Sequence, residues 1–136
     1  MSDAVEFPVK TTRKIERRDI TGEVTKAAAK LDVASGALLV SLPHTTAAVT
    51  INENADPHVA TDLLRAYVDL LGDEQRFQHA EGNSGGHALT SLVGPSVTIP
   101  IQDGQMSLGQ WQAVYFCEFD GPRQRTLRVQ VIGSGV

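Results

Sequence analysis

The sequence predicts an α+β fold: one compact domain built mainly of antiparallel β-sheet or sandwich, with helices packed on it. Three observations carry this. Helical spacings interleave with strand-like runs in the first half of the chain, and strand signals follow one another in the second. The chain of 136 residues is long enough to bury about two-thirds of its unfolded surface around one core. Neither an internal repeat nor a low-complexity tract divides it, so residues 1–136 read as a single domain, with about 1–9 a flexible or edge segment.

Along the chain, "VEFPVKTT" reads as an edge strand, because Pro8 lacks a ladder donor and is tolerated only there. A helix follows, with Thr21 as its cap, Glu23 favouring its positive end, Val24, Ala27, Ala28 and Leu31 at helical spacing, and Gly36 as its stop. "ALLVSL" is a buried strand ended by Pro43. "TAAVTINE" then alternates, Ala47, Val49, Ile51 and Glu53 facing one way. Asp56 and Pro57 open a second helix carrying Leu63, Leu64, Tyr67, Val68 and Leu71. Residues 73–87 hold three glycines and no period, which predicts a loop of the functional or mobile kind. From there strands are expected: "ALTSLV", "SVTIPI", a turn at "DGQ", then "QWQAVYFCEF" and "RTLRVQVI" across the turn "DGPRQ".

Composition narrows the function. Twelve basic against 16 acidic residues give a net charge of −4, which argues against broad nucleic-acid or anionic-membrane binding. No apolar run approaches the roughly 20 residues that span a bilayer. The single Cys117 cannot form an internal disulfide and no charged-then-apolar leader opens the chain, so the expected location is cytoplasmic.

Candidate chemistry concentrates in a few residues. His44 starts a strand, and His79 and His87 bracket the glycine loop; His58, in a helix's first turn, reads as solvent-exposed. Three imidazoles are a common set for a divalent transition metal, and satisfied structural histidines are the alternative. Glu53, on the apolar parity of its strand, must be paired, metal-bound or protonated if buried, and Arg125, in phase with Leu127 and Val129, is its candidate partner. "EGNSGGH" lacks the Lys-Ser/Thr pair of a P-loop and no helix clearly follows it, so it reads as a close-packed loop delivering Asn83 and His87. Arg123 and Arg125 beside the turn suit a phosphate. Cys117, on the side of Trp111, Ala113, Tyr115 and Phe119, reads as a small buried thiol, and those aromatics as core.

Taken together, "HTTAAVTINENADP", "HAEGNSGGH", "IPIQDGQMSLGQWQ" and "EFDGPRQR" resemble the YjbQ-like family, also called the secondary thiamine-phosphate synthase family. The likeness covers about residues 10–133 and falls on His44, Thr45, Thr46, Asn52, Glu53, His79, Asn83, His87, Trp111, Gln112, Asp120, Gly121, Pro122, Arg123 and Arg125. It implies a small α+β homotrimer acting on a phosphorylated small molecule, with thiamine-phosphate synthesis as a secondary activity. The roles it implies are His44, His79 and His87 as ligands of a divalent ion such as zinc, and Glu53, His44 and Asn83 as catalytic groups. Arg123, Arg125, Thr45 and Thr46 would bind the anionic substrate. The alternative expectation is a non-catalytic trimer that binds a small molecule or metal.

Overall fold

The computed structural model describes residues 4–71, 78 and 82–133. Its elements run β1 (Ala4–Lys10), β2 (Glu16–Asp19), α1 (Thr21–Leu31), β3 (Gly36–Ser41), β4 (Ala47–Glu53), α2 (Pro57–Leu71), α3 (Ser84–Val93), β5 (Ser96–Gln102), β6 (Gln105–Met106), β7 (Gln112–Glu118) and β8 (Gln124–Ile132). They form two antiparallel sheets, one of five strands in the order β1-β8-β3-β5-β6 and one of three in the order β2-β7-β4.

Alternation along the strands builds a core between the sheets. Leu38 and Val40 of β3, Ile99 and Ile101 of β5, and Leu127 and Val129 of β8 meet Ala47 and Val49 of β4 and Val114 and Phe116 of β7 in one buried cluster. The three-stranded sheet also buries its other face. Ala48, Ala113, Tyr115, Cys117 and Phe119 pack there with Tyr67 of α2 and Leu89 of α3. A strand covered on both sides reads as a continuous apolar run, and β7 is buried from Ala113 through Glu118. Cys117 is fully buried, as expected of a packing thiol. Trp111 is not core: it precedes β7 and is 55% exposed, because the alternation starts one residue after it.

The helices are not all on one face. Val24 and Ala27 of α1 enter the inter-sheet core, whereas α2 and α3 cover the outer face of the small sheet. Thr21 does not cap α1 with its side chain. Asp19 Oδ1 accepts the Thr21 N–H at 2.9 Å, and Thr21 Oγ1 accepts from the Val114 N–H at 2.9 Å, which bonds the helix start to β7. The helix stops at Asp32, left-handed at φ 53°, before Gly36 is reached. Asp56 caps α2 as expected, its Oδ1 accepting from the His58 N–H at 2.9 Å.

The larger correction is α3. "ALTSLV" is the second half of a helix that begins at Ser84 inside the glycine-rich stretch. The buried or half-buried Gly86, Leu89, Thr90 and Val93 recur at helical spacing, and glycine is what hides the period. A side chain at 86 would bring Cβ to 3.1 Å of the Phe119 carbonyl oxygen, so the small residue lets the helix lie against the end of β7.

Phe116 is the largest of the fully buried side chains in the shared core, and Phe116→Ala is expected to cost about 3–5 kcal/mol in urea unfolding. A loss below about 1 kcal/mol would show that the two sheets do not share this core.

Candidate functional site

The polar residues that converge do so at one end of the small sheet, where β7 leaves it for β8. Glu118 shares its parity with Val114 and Phe116 and Arg125 shares its parity with Leu127 and Val129, so both point into the inter-sheet space. They are 0% and 6% exposed and form an ion pair through Arg125 Nη2 and Glu118 Oε2, with Nε donating to Oε1 at 2.9 Å. Arg125 Nη2 also donates to Thr46 Oγ1 at 3.0 Å, and the Thr11 hydroxyl donates to Glu118 Oε1 at 2.7 Å. Burial pushes the Glu118 carboxyl up. The hydrogen bonds from Arg125, Thr11 and the Asp120 N–H outweigh this and hold it below the usual range. Arg125 therefore pairs with Glu118 and not with Glu53, and neither it nor Thr46 has its polar groups turned outward to meet a phosphate.

His44 lies between β3 and β4. Ser41 pairs with Arg128, so the next positions in register would place Pro43 opposite Thr126. Strand β3 has ended there, and His44 Nε2 accepts the Thr126 N–H at 2.9 Å in place of a strand carbonyl. The bond requires an unprotonated Nε2. Burial and then the nearby Arg125 charge lower the His44 pKa from its ordinary value of 6.5, with the Thr126 backbone and then Glu118 working the other way.

A second network adjoins the first. Asn83, directly before α3 and 9% exposed, donates from Nδ2 to Asp120 Oδ2 at 2.9 Å. Arg123 donates to the same oxygen at 3.0 Å and to the Asp120 carbonyl at 2.8 Å. Burial raises the Asp120 carboxyl, but Asn83, Arg123 and the charge of Lys14 lower it further, so it is ionised. Asn83 Oδ1 is buried and finds no partner among the described residues. Gly121 holds the turn: a Cβ there would sit 2.2 Å from the Arg13 carbonyl oxygen. Lys14 reaches the Gly82 carbonyl at 3.5 Å, so two cations, Lys14 and Arg123, flank the carboxylate at the positive end of α3.

The remaining candidates divide. Thr45 is exposed in the same loop as His44, and His87 is half-buried in the first turn of α3, its N–H bonded to the Asn83 carbonyl at 3.2 Å. His79 lies outside the described residues. Glu53 stands apart: Ala47 pairs with Glu118 and Glu53 with Gln112, six residues along, so roughly 20 Å separates Glu53 from the Asn83–Asp120 end. Its side chain cannot span that within one chain. Among the described residues no three His, Cys, Asp or Glu side chains are grouped to hold a metal. Of the expected three histidines, His44 has its Nε2 engaged by the Thr126 N–H, His87 stands at the start of α3, and His79 is outside the described residues.

The comparisons with known proteins bear on this architecture directly. The profile described as UPF0047 protein YjbQ-like matches residues 5–134. This chain belongs to the YjbQ/UPF0047 family. It is 45% identical to the UPF0047 protein YugU of Bacillus subtilis over 92% of this chain and 96% of that one. It is 44% identical to the UPF0047 protein MJ1081 of Methanocaldococcus jannaschii, covering 94% and 93%. A solved yjbq/upf0047 family structure from Clostridium acetobutylicum superposes with a TM-score of 0.88 at 44% identity, covering 94% and 99%. A YbjQ-like protein from Sulfolobus solfataricus superposes at 0.91 with 27% identity, covering 96% of each chain.

Glu118, Thr11 and Lys14 were missed from the sequence. The parity argument made for Glu53 applies equally to Glu118, two positions on from Phe116, and would have found the partner of Arg125; Thr11 and Lys14 carry no comparable signal.

Arg125→Met leaves Glu118 buried and unpaired and is expected to cost about 3–5 kcal/mol, most of it regained in the Arg125→Met/Glu118→Leu double variant; equal losses in both would reject the pair as the cause. Because the folded pKa of His44 is lowered, the unfolded chain binds more protons between 6.5 and the folded value. Stability should fall as pH drops through that window and level off below it, and His44→Gln should remove that part of the slope in urea titrations.

Proposed function

We propose that this protein is an enzyme acting on a phosphate-bearing small molecule, received where α3 begins. The observation that supports this is the Asn83–Asp120–Arg123 network, flanked by Lys14 and capped by an unpartnered buried acceptor, Asn83 Oδ1, among the described residues. The positive end of α3, Arg123 and Lys14 attract a phosphate or a pyrophosphate leaving group. Asp120, ionised and bonded to Arg123, orients that guanidinium. Asn83 Oδ1 accepts from a hydroxyl or amino group of the same ligand. Thiamine-phosphate synthesis, which expels pyrophosphate, is the secondary activity this reading includes.

Glu53 enters as the base only from a second copy of the chain. It lies roughly 20 Å along β4 from the end of the sheet where Asp120 and Asn83 meet, which speaks for a site between subunits of a homotrimer rather than within one. The same separation favours a second reading, a non-catalytic binder of phosphorylated compounds, because the network's own carboxylate, Asp120, is engaged by Arg123 and Asn83.

Calorimetric titration with thiamine phosphate and with pyrophosphate tests the anion site: Arg123→Ala should weaken binding ~10-fold or more, and unchanged affinity would remove the phosphate from this location. Turnover separates the two readings. Glu53→Gln and Asn83→Ala should each be inactive alone and recover partial activity when mixed and reassembled. Absence of turnover in the wild type with retained binding would leave the binder.

A further inference from the structure

Arg17 is half-buried as a residue, but its guanidinium is sealed from solvent and enters neither network. It lies on β2, opposite Cys117 in β7, on the face of the small sheet covered by the helices. Its Cζ stands 3.8 Å from the centroid of the Tyr115 ring. All three guanidinium nitrogens are sealed from solvent, and none makes a well-aligned hydrogen bond with an acceptor among the described residues; burial raises the pKa of the Tyr115 hydroxyl, which stands near enough for Arg17 to pull it back down in part. That hydroxyl donates instead to the Glu53 carbonyl at 3.4 Å.

Among the described residues, the neighbouring carboxylates are engaged elsewhere. Glu16 binds Arg18 at 3.1 Å and the Thr12 N–H at 2.8 Å, Asp19 is exposed and caps α1, and Glu118 is held by Arg125 on the opposite face of β7. Folded proteins rarely leave a buried polar group unpaired, and a sealed guanidinium with five N–H donors is among the most costly to leave so. The ring under it offsets part of this cost through cation–π attraction but satisfies no N–H.

We propose that Arg17 anchors a binding site for a small monocarboxylate with an apolar body, lying between β2 and α2. The fork of the guanidinium matches the two coplanar oxygens of a carboxylate. The charge balance selects a monoanion. Tyr67, Tyr115 and Cys117 each feel Arg17 as the cation acting on them, and the Cys117 thiol, pushed up to about 12 by burial, adds no charge of its own. A phosphate dianion would leave one charge uncompensated in this setting. Tyr115 stacks under the guanidinium and Tyr67 lies within reach of its charge, and both belong to the apolar cluster that Ile15 and Leu63 join, which suits a hydrocarbon or aromatic body. Strand β2 pairs on one side only, with β7, so its free edge is the way in.

The test is thermal unfolding of the full chain in benzoate and in butanoate, with chloride and phosphate series at matched ionic strength. The wild-type midpoint should rise with the logarithm of benzoate concentration and not respond to phosphate beyond chloride. Arg17→Met keeps the stem, so the free variant should melt higher than the wild type while its benzoate response disappears. In the wild type, the Arg17 Nε–H resonance should move on adding benzoate, a readout that holds even if the variant folds poorly. Arg123→Ala should leave the benzoate response intact, which separates this site from the phosphate site proposed above. A benzoate response retained in Arg17→Met, a phosphate response equal to it, or no response at all would overturn the proposal. So would an Arg17→Met protein that melts lower and loses mass by light scattering, since the missing acceptor would then be a carboxylate of a second copy.

Discussion

The buried Glu118–Arg125 pair is the constraint on which the arrangement of this molecule depends. It sits where β7 and β8 part company, one strand going to each sheet, and it joins the two strands across the rim of the shared core. Thr46, at the entry to β4, and Thr11, just after β1, complete its hydrogen bonds, so four segments from distant parts of the chain are tied at one point. Such a pair contributes little net stability compared with an apolar alternative, because desolvating two charges offsets most of their attraction. What it supplies is position: an unpaired member is so costly that the four segments have one acceptable arrangement.

The candidate site inherits that position. The Asp120 N–H donates to Glu118 Oε2 at 3.0 Å, and the Arg123 N–H donates to the Thr11 hydroxyl at 2.9 Å, so the turn bearing both site residues is fastened to the ion pair through its backbone. Asn83 then reaches Asp120 from a helix whose glycine face rests on Phe119. The Asn83–Asp120–Arg123 network is thus held in place by the buried ion pair beneath it. His44 belongs with the inward set. Its ring closes the β8 ladder where Pro43 has removed β3, which is a structural use of an imidazole that a metal would have to displace.

Three carboxylates on or beside strands of the small sheet meet three fates for identifiable reasons. Glu118 is sealed and paired because its parity faces the core. Asp120, two residues later, has left the strand and faces the turn, where it binds Asn83 and Arg123. Glu53 has the core parity of β4, but the strand runs out from under the second sheet before reaching it, and it remains half-buried at the far end. The same residue chemistry is thus assigned by where each strand stops, and strand ends are the least legible feature of a sequence.

The amino-acid order alone determined the α+β class, the edge strand at Pro8, the alternating β4, the Asp56–Pro57 helix start and the DGQ turn, because each rests on a local period or a residue with restricted backbone geometry. It also offered Asn83 as a catalytic candidate and Arg123 as a phosphate-binding one through their motifs. It did not reveal α3, since Gly85 and Gly86 erase the apolar period that a helix otherwise shows. Nor did it reveal the partner of Arg125, the far separation of Glu53 from the site, or the sealed guanidinium of Arg17. Those were decided by the tertiary structure, because burial of a charge and the choice of its partner depend on which strands become neighbours, and pairing between strands dozens of residues apart leaves no trace in local spacing.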